Sequence, residues 1–217
     1  MTIRDEVDLY IQDVLKMQYM VSNNISHRLT KGELREKFIR RVVQDEFPNL
    51  LLKSGILCEG TWQSTQGDFL WLRDNARIGN LNLYDLKDCL MFMEIKSRAT
   101  AAELRALNDT AGNLKQRYAG EPPIKIGMFC YSTVATEQTV LRKFGFTYDK
   151  EIDGYNAYDK STDIMPNVDF LFSLNIVDDS DESTSAYLIV RDFSGNCNLY
   201  KDNPVIRYFF NYFRQYE

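Results

Sequence analysis

Residues 89–131 constrain the fold more than any other part of this sequence. Residues 89–97, CLMFMEIKS, are an almost unbroken apolar run with the length of a buried strand. Residues 100–118 return to the spacing of a helix, and residues 124–131 form a second apolar, buried-type strand. A buried strand, a helix and another buried strand in succession are typical of an α/β fold.

The flanking segments extend this pattern. Thr30 and Glu33 have the spacing of a capping box, which predicts a helix from Thr30 to about residue 46. Residues 56–72 are rich in strand-forming residues. The whole order predicts an α/β fold with a mixed central sheet flanked by helices. Further strands are predicted near residues 168–175, 185–191 and 196–200, before an aromatic-rich helix that starts at Pro204.

The first 21 residues predict a helix with a heptad-like apolar seam. Its apolar side chains follow one another at alternating steps of four and three residues. We favour a helix that packs on its own domain. A short dimer seam is the alternative, since about three heptads are near the minimum for a coiled coil. The seam consists of Ile3, Val7, Tyr10, Val14, Met17 and Val21.

Histidine and cysteine usage narrows the chemistry. His27 is the only histidine, so any catalytic triad with histidine, or any zinc site with several histidines, would depend on that one residue. The four cysteines are scattered without a CxxC spacing and carry no zinc signature. Catalysis in this chain is therefore expected to rest on carboxylates and lysine.

The net charge of −5 and the pI near 5.1 bear on the class of partner. A protein that coats nucleic acid over its whole surface is normally basic, because phosphate neutralisation supplies most of the affinity. The acidic balance counts less against a nuclease, whose metal site needs carboxylates. No apolar run is long enough to cross a bilayer, and the amino terminus is not a secretory signal, so we expect a cytoplasmic protein with no membrane partner.

Two opposite charges interrupt the apolar run at residues 89–97. Glu94 and Lys96 are two residues apart on a predicted strand, so their side chains project from the same face. Burying both is costly unless they are paired or hold a metal. Upstream, Asp68 opens a predicted strand directly after Gly67, although aspartate is a poor strand former.

Together these three side chains can support metal-dependent hydrolysis. Asp68 and Glu94 can hold a hard divalent cation through oxygen ligands. Such a cation polarises a phosphoryl oxygen and lowers the pKa of a bound water, while Lys96 orients that water and stabilises developing charge. The alternative is that Glu94 and Lys96 form a structural ion pair in an α/β domain of another purpose.

On these residues the sequence resembles the PD-(D/E)XK nuclease superfamily, which includes many restriction endonucleases. The resemblance covers about residues 28–131. The runs KGELREKF, STQGDFLWL and FMEIKSRAT are similar to a subgroup of uncharacterised bacterial domains found in defence settings. Two features depart from the superfamily pattern. Gly67 occupies the position of the proline, and the helix after Lys96 lacks the Gln-x-x-x-Tyr pattern of one branch.

The resemblance implies an organisation and a ligand set. It implies one restriction-endonuclease-like domain over residues 1–217, with a core at about 28–131 between an N-terminal helix at 1–21 and C-terminal strands and an aromatic helix at 150–217. It also implies Mg²⁺ or Mn²⁺ as cofactor, with a catalytic lysine beside it. The implied ligands are Asp68, Glu94 and the backbone carbonyl of Ile95, and the implied lysine is Lys96.

Two further residues are candidates for the same site. Members of the superfamily often place a glutamate of the first core helix near the metal, and Glu33 and Glu36 compete for that role. Glu36 lies at the border of the apolar face of the helix, whereas Glu33 points nearly opposite, so we favour Glu36. Gln66 shares the strand face of Asp68 and is a secondary candidate for positioning water or phosphate.

The expected activity is that of a divalent-metal-dependent endonuclease that hydrolyses DNA in restriction or phage defence. The alternative is a non-catalytic nucleic-acid-binding or assembly module on the same fold. A homodimer and an activating partner or second messenger are open questions at this point. Candidate phosphate contacts are Lys37, Arg40, Arg41, Lys115 and Arg117. The terminal aromatics, Tyr208, Phe209, Phe210, Tyr212 and Phe213, are expected in the core or a subunit interface, with base stacking as the alternative.

Overall fold

The computed structural model describes residues 2–76, 81–151, 154–176, 185–201 and 204–216. Its helices are α1 (Ile3–Ser22), α2 (Arg28–Glu46), α3 (Ala101–Arg117), α4 (Glu137–Lys143) and α5 (Val205–Arg214). Its strands are β1 (Leu51–Glu59), β2 (Trp62–Leu72), β3 (Leu83–Asp85), β4 (Cys89–Ala99), β5 (Lys125–Thr133), β6 (Phe144–Asp149), β7 (Gly154–Asp163), β8 (Phe170–Ser173), β9 (Tyr187–Arg191) and β10 (Cys197–Tyr200).

One mixed sheet of eight strands organises the fold, in the order β10-β9-β8-β5-β4-β2-β1-β3. Its centre is parallel, because β4 pairs with β5 and β5 with β8 in the same direction. On one side, β2 pairs antiparallel with both β4 and β1, and on the other side β9 pairs antiparallel with both β8 and β10. The predicted mixed central sheet flanked by helices is therefore confirmed, whereas the separate hairpin of β6 and β7 was not predicted.

Side-chain alternation along β2 and β4 gives the sheet two apolar faces. Leu70 and Phe92 face a core that is shared with α3. Phe69 and Met93, each one residue away, face a second core that is shared with α1, α2 and α5. Because successive side chains on a strand point to opposite faces, Asp68, Glu94 and Lys96 belong to the face that α3 covers.

The helix α1 packs on its own domain, as the favoured prediction has it, but its apolar seam faces outward and the opposite side is buried. Ile3 is 82% exposed, Tyr10 is 68% exposed and Met17 is 60% exposed. The buried residues of the helix lie on the opposite side and are mostly polar. The physical reason is long-range pairing, in which Arg207 and Arg35 bind polar groups of this inward side. The inward residues are Asp8, Gln12, Leu15, Tyr19 and Ser22.

The start of α2 also differs from its prediction. The helix begins at Arg28, and the cap is His27, whose Nδ1 accepts a hydrogen bond from the backbone amide of Thr30 at 3.4 Å. Thr30 and Glu33 lie inside the first turns, so the predicted capping box is absent. A histidine ring nitrogen thus caps the helix in place of the expected threonine hydroxyl, because the cap lies three residues before Thr30.

The aromatic residues of α5 belong to the core. Phe209, Phe210, Tyr212 and Phe213 are all buried, which excludes base stacking by these four side chains in this structure. Phe213 stacks on Trp71 of β2, with ring centroids 5.8 Å apart. The helix therefore closes the second core over β2. Within the described residues, no helix has both the length and the apolar character needed to span a membrane.

Candidate active site

The register between β2 and β4 places the predicted acidic residues side by side. Phe69 lies opposite Met93 in this antiparallel pair. Asp68 precedes Phe69 and Glu94 follows Met93, so the two carboxylates fall at the next position along the ladder. Lys96 follows two residues later on the same face of β4, beside Cys130 of β5. All three side chains therefore emerge at one point of the sheet.

Lys96 joins the two carboxylates. Its Nζ donates to Glu94 Oε2 at 2.7 Å and to Asp68 Oδ2 at 3.5 Å. The backbone amide of Ile95 also donates to Asp68 Oδ2, at 2.8 Å. Since both carboxylate oxygens lie within 3.5 Å of one nitrogen, they cannot be further apart than twice that distance. The structure thus brings Asp68, Glu94 and Lys96 together, and Ile95 lies between the two β4 charges.

Gly67 has a packing role directly before Asp68. A Cβ atom at this position would lie 2.7 Å from Leu70 Cδ2 and 2.7 Å from Phe92 Cε2. A larger residue would therefore push on the core side chains that support both strands of the site. This explains why the position directly before Asp68 is a glycine.

Two residues of α2 reach the same site. Glu36 is half-buried, and its pKa is raised to about 7, first by burial and then by the charge of Asp68. Arg40, one turn later, donates from Nη2 to the backbone carbonyl of Asp68 at 2.6 Å. Glu33 is exposed on the outer side of the helix. Of the two competing glutamates, the structure places Glu36 near the site.

The charges of this cluster do not balance. Three carboxylates, Glu36, Asp68 and Glu94, face two cations, Arg40 and Lys96. Burial, the charge of Asp68 and a hydrogen bond to Asp68 raise the pKa of Glu94. Burial opposes protonation of Lys96, but the two neighbouring carboxylates outweigh it and raise the pKa of the lysine. The site therefore holds a surplus of carboxylate that a further cation would neutralise.

The donor set fits a hard divalent cation. Carboxylate oxygens are the ligands that Mg²⁺ and Mn²⁺ prefer, and two carboxylates meet here at Lys96. Among the described residues, no three His, Cys, Asp or Glu side chains are grouped as a metal site. The protein would accordingly supply two carboxylates, with the remaining ligands coming from backbone, water or substrate, as is usual for Mg²⁺.

A surface cavity of about 320 Å³ opens beside Glu94 and Lys96. Gln66 lines it from β2, on the strand face that was predicted for it. Residues of α3 form the opposite wall, and sequence reasoning did not single them out. The spacing of Glu103, Ala106 and Thr110 on one side of α3 was the available signal. The lining residues are Thr65, Gln66, Glu94, Lys96, Glu103, Ala106, Leu107, Thr110 and Met128.

Most of the basic residues predicted as phosphate contacts have other partners. Arg41 pairs with Asp45 at 2.8 Å, and Lys115 pairs with Asp169 at 2.8 Å. Arg117 pairs with Glu59 at 3.5 Å. Arg40 binds the backbone of Asp68, as described above. These partners count against phosphate contact as the main role of the four residues.

Comparison with known proteins adds evidence on the fold. The sequence matches no protein-family profile and no curated protein. Among solved structures, NucC from P. aeruginosa ATCC27853 in its cAAA-bound form superposes with a TM-score of 0.70 at 11% identity, over 99% of this chain and 90% of that one. The chain has the fold of NucC.

Two further NucC structures agree. NucC from E. coli MS115-1 in its cAAA-bound form gives a TM-score of 0.69 at 13% identity, over 99% of this chain and 90% of that one. Its apo form gives 0.62 at 12% identity, over 99% and 91%. The likeness to NucC confirms the predicted restriction-endonuclease-like fold. At identities of 11–13% the likeness establishes the fold alone.

Proposed function

We propose that this chain is a divalent-metal-dependent endonuclease that hydrolyses DNA phosphodiester bonds in phage defence. The observation that carries the proposal is the convergence of Asp68, Glu94 and Lys96 at one point of a NucC-type sheet. A structural ion pair needs one acid and one base, whereas this cluster has surplus acid. The fold supports a nuclease, and the surplus acid supports a metal site within it.

Each residue has a defined part in the proposal. Asp68, Glu94 and the carbonyl of Ile95 would hold Mg²⁺ or Mn²⁺, and the bound cation would supply positive charge at the phosphoryl group. Lys96 keeps its proton because of the two carboxylates. Its ammonium group therefore donates hydrogen bonds to the attacking water and to the phosphoryl oxygen on which charge develops.

Residues around Asp68, Glu94 and Lys96 hold them in position and adjust the charge of the site. Arg40 fixes the backbone of Asp68, so that the carboxylate keeps its direction. Glu36, with a pKa of about 7, changes its protonation with the charge of the site. Gln66 stands at the cavity and positions water or phosphate. The cavity between β2 and α3 receives the substrate strand.

The test is a cleavage assay on plasmid and single-stranded DNA with Mg²⁺, with Mn²⁺ and with chelator. Asp68→Ala, Glu94→Ala and Lys96→Ala are each expected to lower the cleavage rate by about 100-fold or more, since each removes charge stabilisation of the transition state. Arg41→Ala is the matched control, because it removes a charge from an exposed pair on α2. Wild-type cleavage rates in all three site variants would contradict the proposal.

The assay has one arm with cAAA and one without, because two of the NucC structures are cAAA-bound. A cleavage rate that rises with cAAA would extend the proposal to an activating nucleotide. Calorimetry with Mn²⁺ separates the nuclease from a binding module on the same fold. We expect one Mn²⁺ site that disappears in Asp68→Ala, and a wild-type protein without Mn²⁺ affinity would favour the module.

A further inference from the structure

Lys125, the first residue of β5, is the one buried lysine in the described part of the chain, with 9% of its surface exposed. The proposed nuclease does not use it. Lys125 lies opposite Met91 in the parallel ladder of β4 and β5, whereas Lys96 lies opposite Cys130. The two lysines are therefore about 16 Å apart along the sheet, at roughly 3.3 Å per residue. Lys125 marks a second location, away from the candidate active site.

Aromatic rings, rather than hydrogen-bond acceptors, surround the amine of Lys125. Its Nζ lies 5.3 Å from the ring centroid of Phe193 and 5.2 Å from that of Tyr216. Within the described residues, this nitrogen takes part in neither a hydrogen bond nor an ion pair. Contacts with two rings recover only part of the hydration that a buried ammonium group loses. The surroundings of Lys125 therefore favour the neutral amine.

The charged groups near Lys125 leave this preference in place. Asp169 Oδ1 accepts a hydrogen bond from Lys115 at 2.8 Å, and its Oδ2 accepts one from the backbone amide of Ile126 at 2.8 Å. Burial lowers the pKa of Lys125, the charge of Asp169 opposes this effect, and the charge of Lys115 adds to it. More of this amine is therefore neutral at a given pH than of an exposed lysine. The other ionisable side chains around it are Tyr118, Glu121, Asp192 and Tyr216.

A surface cavity of about 410 Å³, lined by Lys125, gives access to this amine. Its walls come from the end of α3, the segment that leads into β5, and the turn between β9 and β10. The turn is held because Asp192 Oδ1 accepts hydrogen bonds from the amides of Ser194 and Asn196, each at 2.9 Å. Phe193 of this turn is 84% exposed and also lines the cavity. The volume is in the range of pockets that bind small molecules.

The charges of the lining favour a neutral ligand over an anion. The cavity is lined by the carboxylates of Glu121, Asp169 and Asp192 and by the amines of Lys115 and Lys125. Lys115 and Asp169 already form an ion pair. Two carboxylates thus remain beside one amine, and they would repel a phosphate or a carboxylate ligand. A neutral carbonyl compound meets no such repulsion, and its carbonyl carbon is the group that a neutral lysine amine attacks.

We propose that Lys125 is a nucleophilic amine that captures a neutral aromatic aldehyde as an imine in this cavity. The amine nitrogen attacks the carbonyl carbon, a C=N bond replaces the C=O bond, and the carbonyl oxygen leaves as water with both amine protons. The exposed ring of Phe193 offers a stacking surface to the aromatic part of the ligand. The site requires neither the metal nor the DNA of the proposed nuclease, so the two proposals can fail independently.

The test is reductive trapping on the full chain with benzaldehyde and cyanoborohydride at pH 7, followed by peptide mass mapping. Cyanoborohydride reduces the imine to a stable amine, which marks the lysine that formed it. Lys125 is expected to be labelled about tenfold faster than Lys37, an exposed lysine of α2 that serves as the internal control. Lys125→Arg should lose the fast label. Labelling of Lys125 that is no faster than that of Lys37 would overturn the proposal.

The pH dependence and unfolding show whether the cavity causes the reactivity. In the folded chain, labelling of Lys125 should level off at a lower pH than labelling of Lys37, because burial lowers the pKa of Lys125. In concentrated urea the two lysines should react alike, since the cavity is lost. A common pH profile in the folded chain would contradict the nucleophile, and so would a rate advantage of Lys125 that persists in urea.

Two further comparisons test the class of ligand. Relative to Lys37, Lys125 should react about tenfold more slowly with 4-carboxybenzaldehyde than with benzaldehyde, because the lining repels the added carboxylate. Phe193→Ala should lower benzaldehyde labelling of Lys125 about fivefold and leave propanal labelling unchanged. Leu81→Ala, which removes another exposed apolar side chain, is the matched control. Faster labelling by the anionic probe would overturn the neutral ligand, and unchanged benzaldehyde labelling in Phe193→Ala would overturn its aromatic character.

Discussion

Two buried charged clusters of this protein differ in how completely they are satisfied. In the first, Arg191 and Asp163 form an ion pair at 2.8 Å, with side chains 8% and 3% exposed. The guanidinium also donates to the backbone carbonyls of Val168, Met165 and Gly195. One positive charge faces one negative charge, and hydrogen bonds surround both. This is the arrangement that makes a buried pair tolerable.

The candidate active site lacks this balance. Its carboxylates outnumber its cations, and burial and mutual repulsion raise the pKa of both Glu36 and Glu94. Both clusters are buried or half-buried, so burial alone does not distinguish them. The difference is that the Arg191 cluster is balanced as it stands, whereas the carboxylates around Lys96 outnumber the cations that face them. Unbalanced charge at a concave site is a marker of function rather than of stability.

The largest expected difference between the two clusters comes from the same acid-to-amide change in each. Asp163→Asn is expected to lower the free energy of unfolding by about 3–5 kcal/mol, because it leaves Arg191 buried without its counter-charge. Glu94→Gln is expected to change it by less than about 1 kcal/mol, toward higher stability, because it relieves repulsion from Asp68. Urea unfolding in the presence of chelator measures both. Equal losses in the two variants would show that the clusters do not differ.

The elements of the fold were largely predictable because their signals are local. The apolar run at residues 89–97 became β4, and the helical spacing at residues 100–118 became α3. The side on which α1 packs was not predictable. Its orientation is decided by Arg207, which lies 199 residues from Asp8 in the chain. Hydrophobic spacing alone favours the apolar seam as the buried side, and no local pattern indicates the contact with a distant arginine.

In the candidate site, too, the residues with a local signal were predictable and those that depend on a tertiary contact were not. Glu94 and Lys96 were found because a two-residue step on a strand fixes their common face, and Asp68 because it opens the preceding predicted strand. The part that Arg40 plays was missed. On sequence it is one of several basic residues on a helix, and its contact with the backbone of Asp68 arises only when α2 packs beside β2. Roles that depend on a single tertiary contact leave no periodic signal.

The pH dependence of stability is expected to show an effect of intermediate size, which comes from Glu36 in the active-site cluster. The pKa of Glu36 is raised in the fold from 4.5 to about 7, so the folded chain holds this proton more tightly than the unfolded chain. The stability from this proton is complete below pH 4.5 and is lost as the pH rises through about 7. We expect the metal-free protein to lose about 2 kcal/mol between pH 5 and pH 8 through this group, after allowance for its partial exposure.

Glu36→Gln should remove this loss, and Glu33→Gln, an exposed change on the same helix, should retain it. Urea midpoints of the three proteins at pH 5 and pH 8, in chelator, measure the difference. Mg²⁺ should reduce the loss in the wild-type protein, because added positive charge stabilises ionised Glu36. A pH dependence that is identical in wild type and Glu36→Gln would remove Glu36 from the charged cluster.

The smallest expected effect concerns Arg40, which distinguishes a positioning residue from a phosphate contact. Arg40 binds the carbonyl of Asp68, so Arg40→Met should lower kcat about tenfold, in line with other groups that orient a metal ligand, and leave KM nearly unchanged. Arg41→Met, which removes the outward-facing Arg41–Asp45 pair, is the control. A phosphate contact would instead raise KM and flatten the salt dependence of binding. That result would show that Arg40 binds the substrate phosphate rather than positioning Asp68.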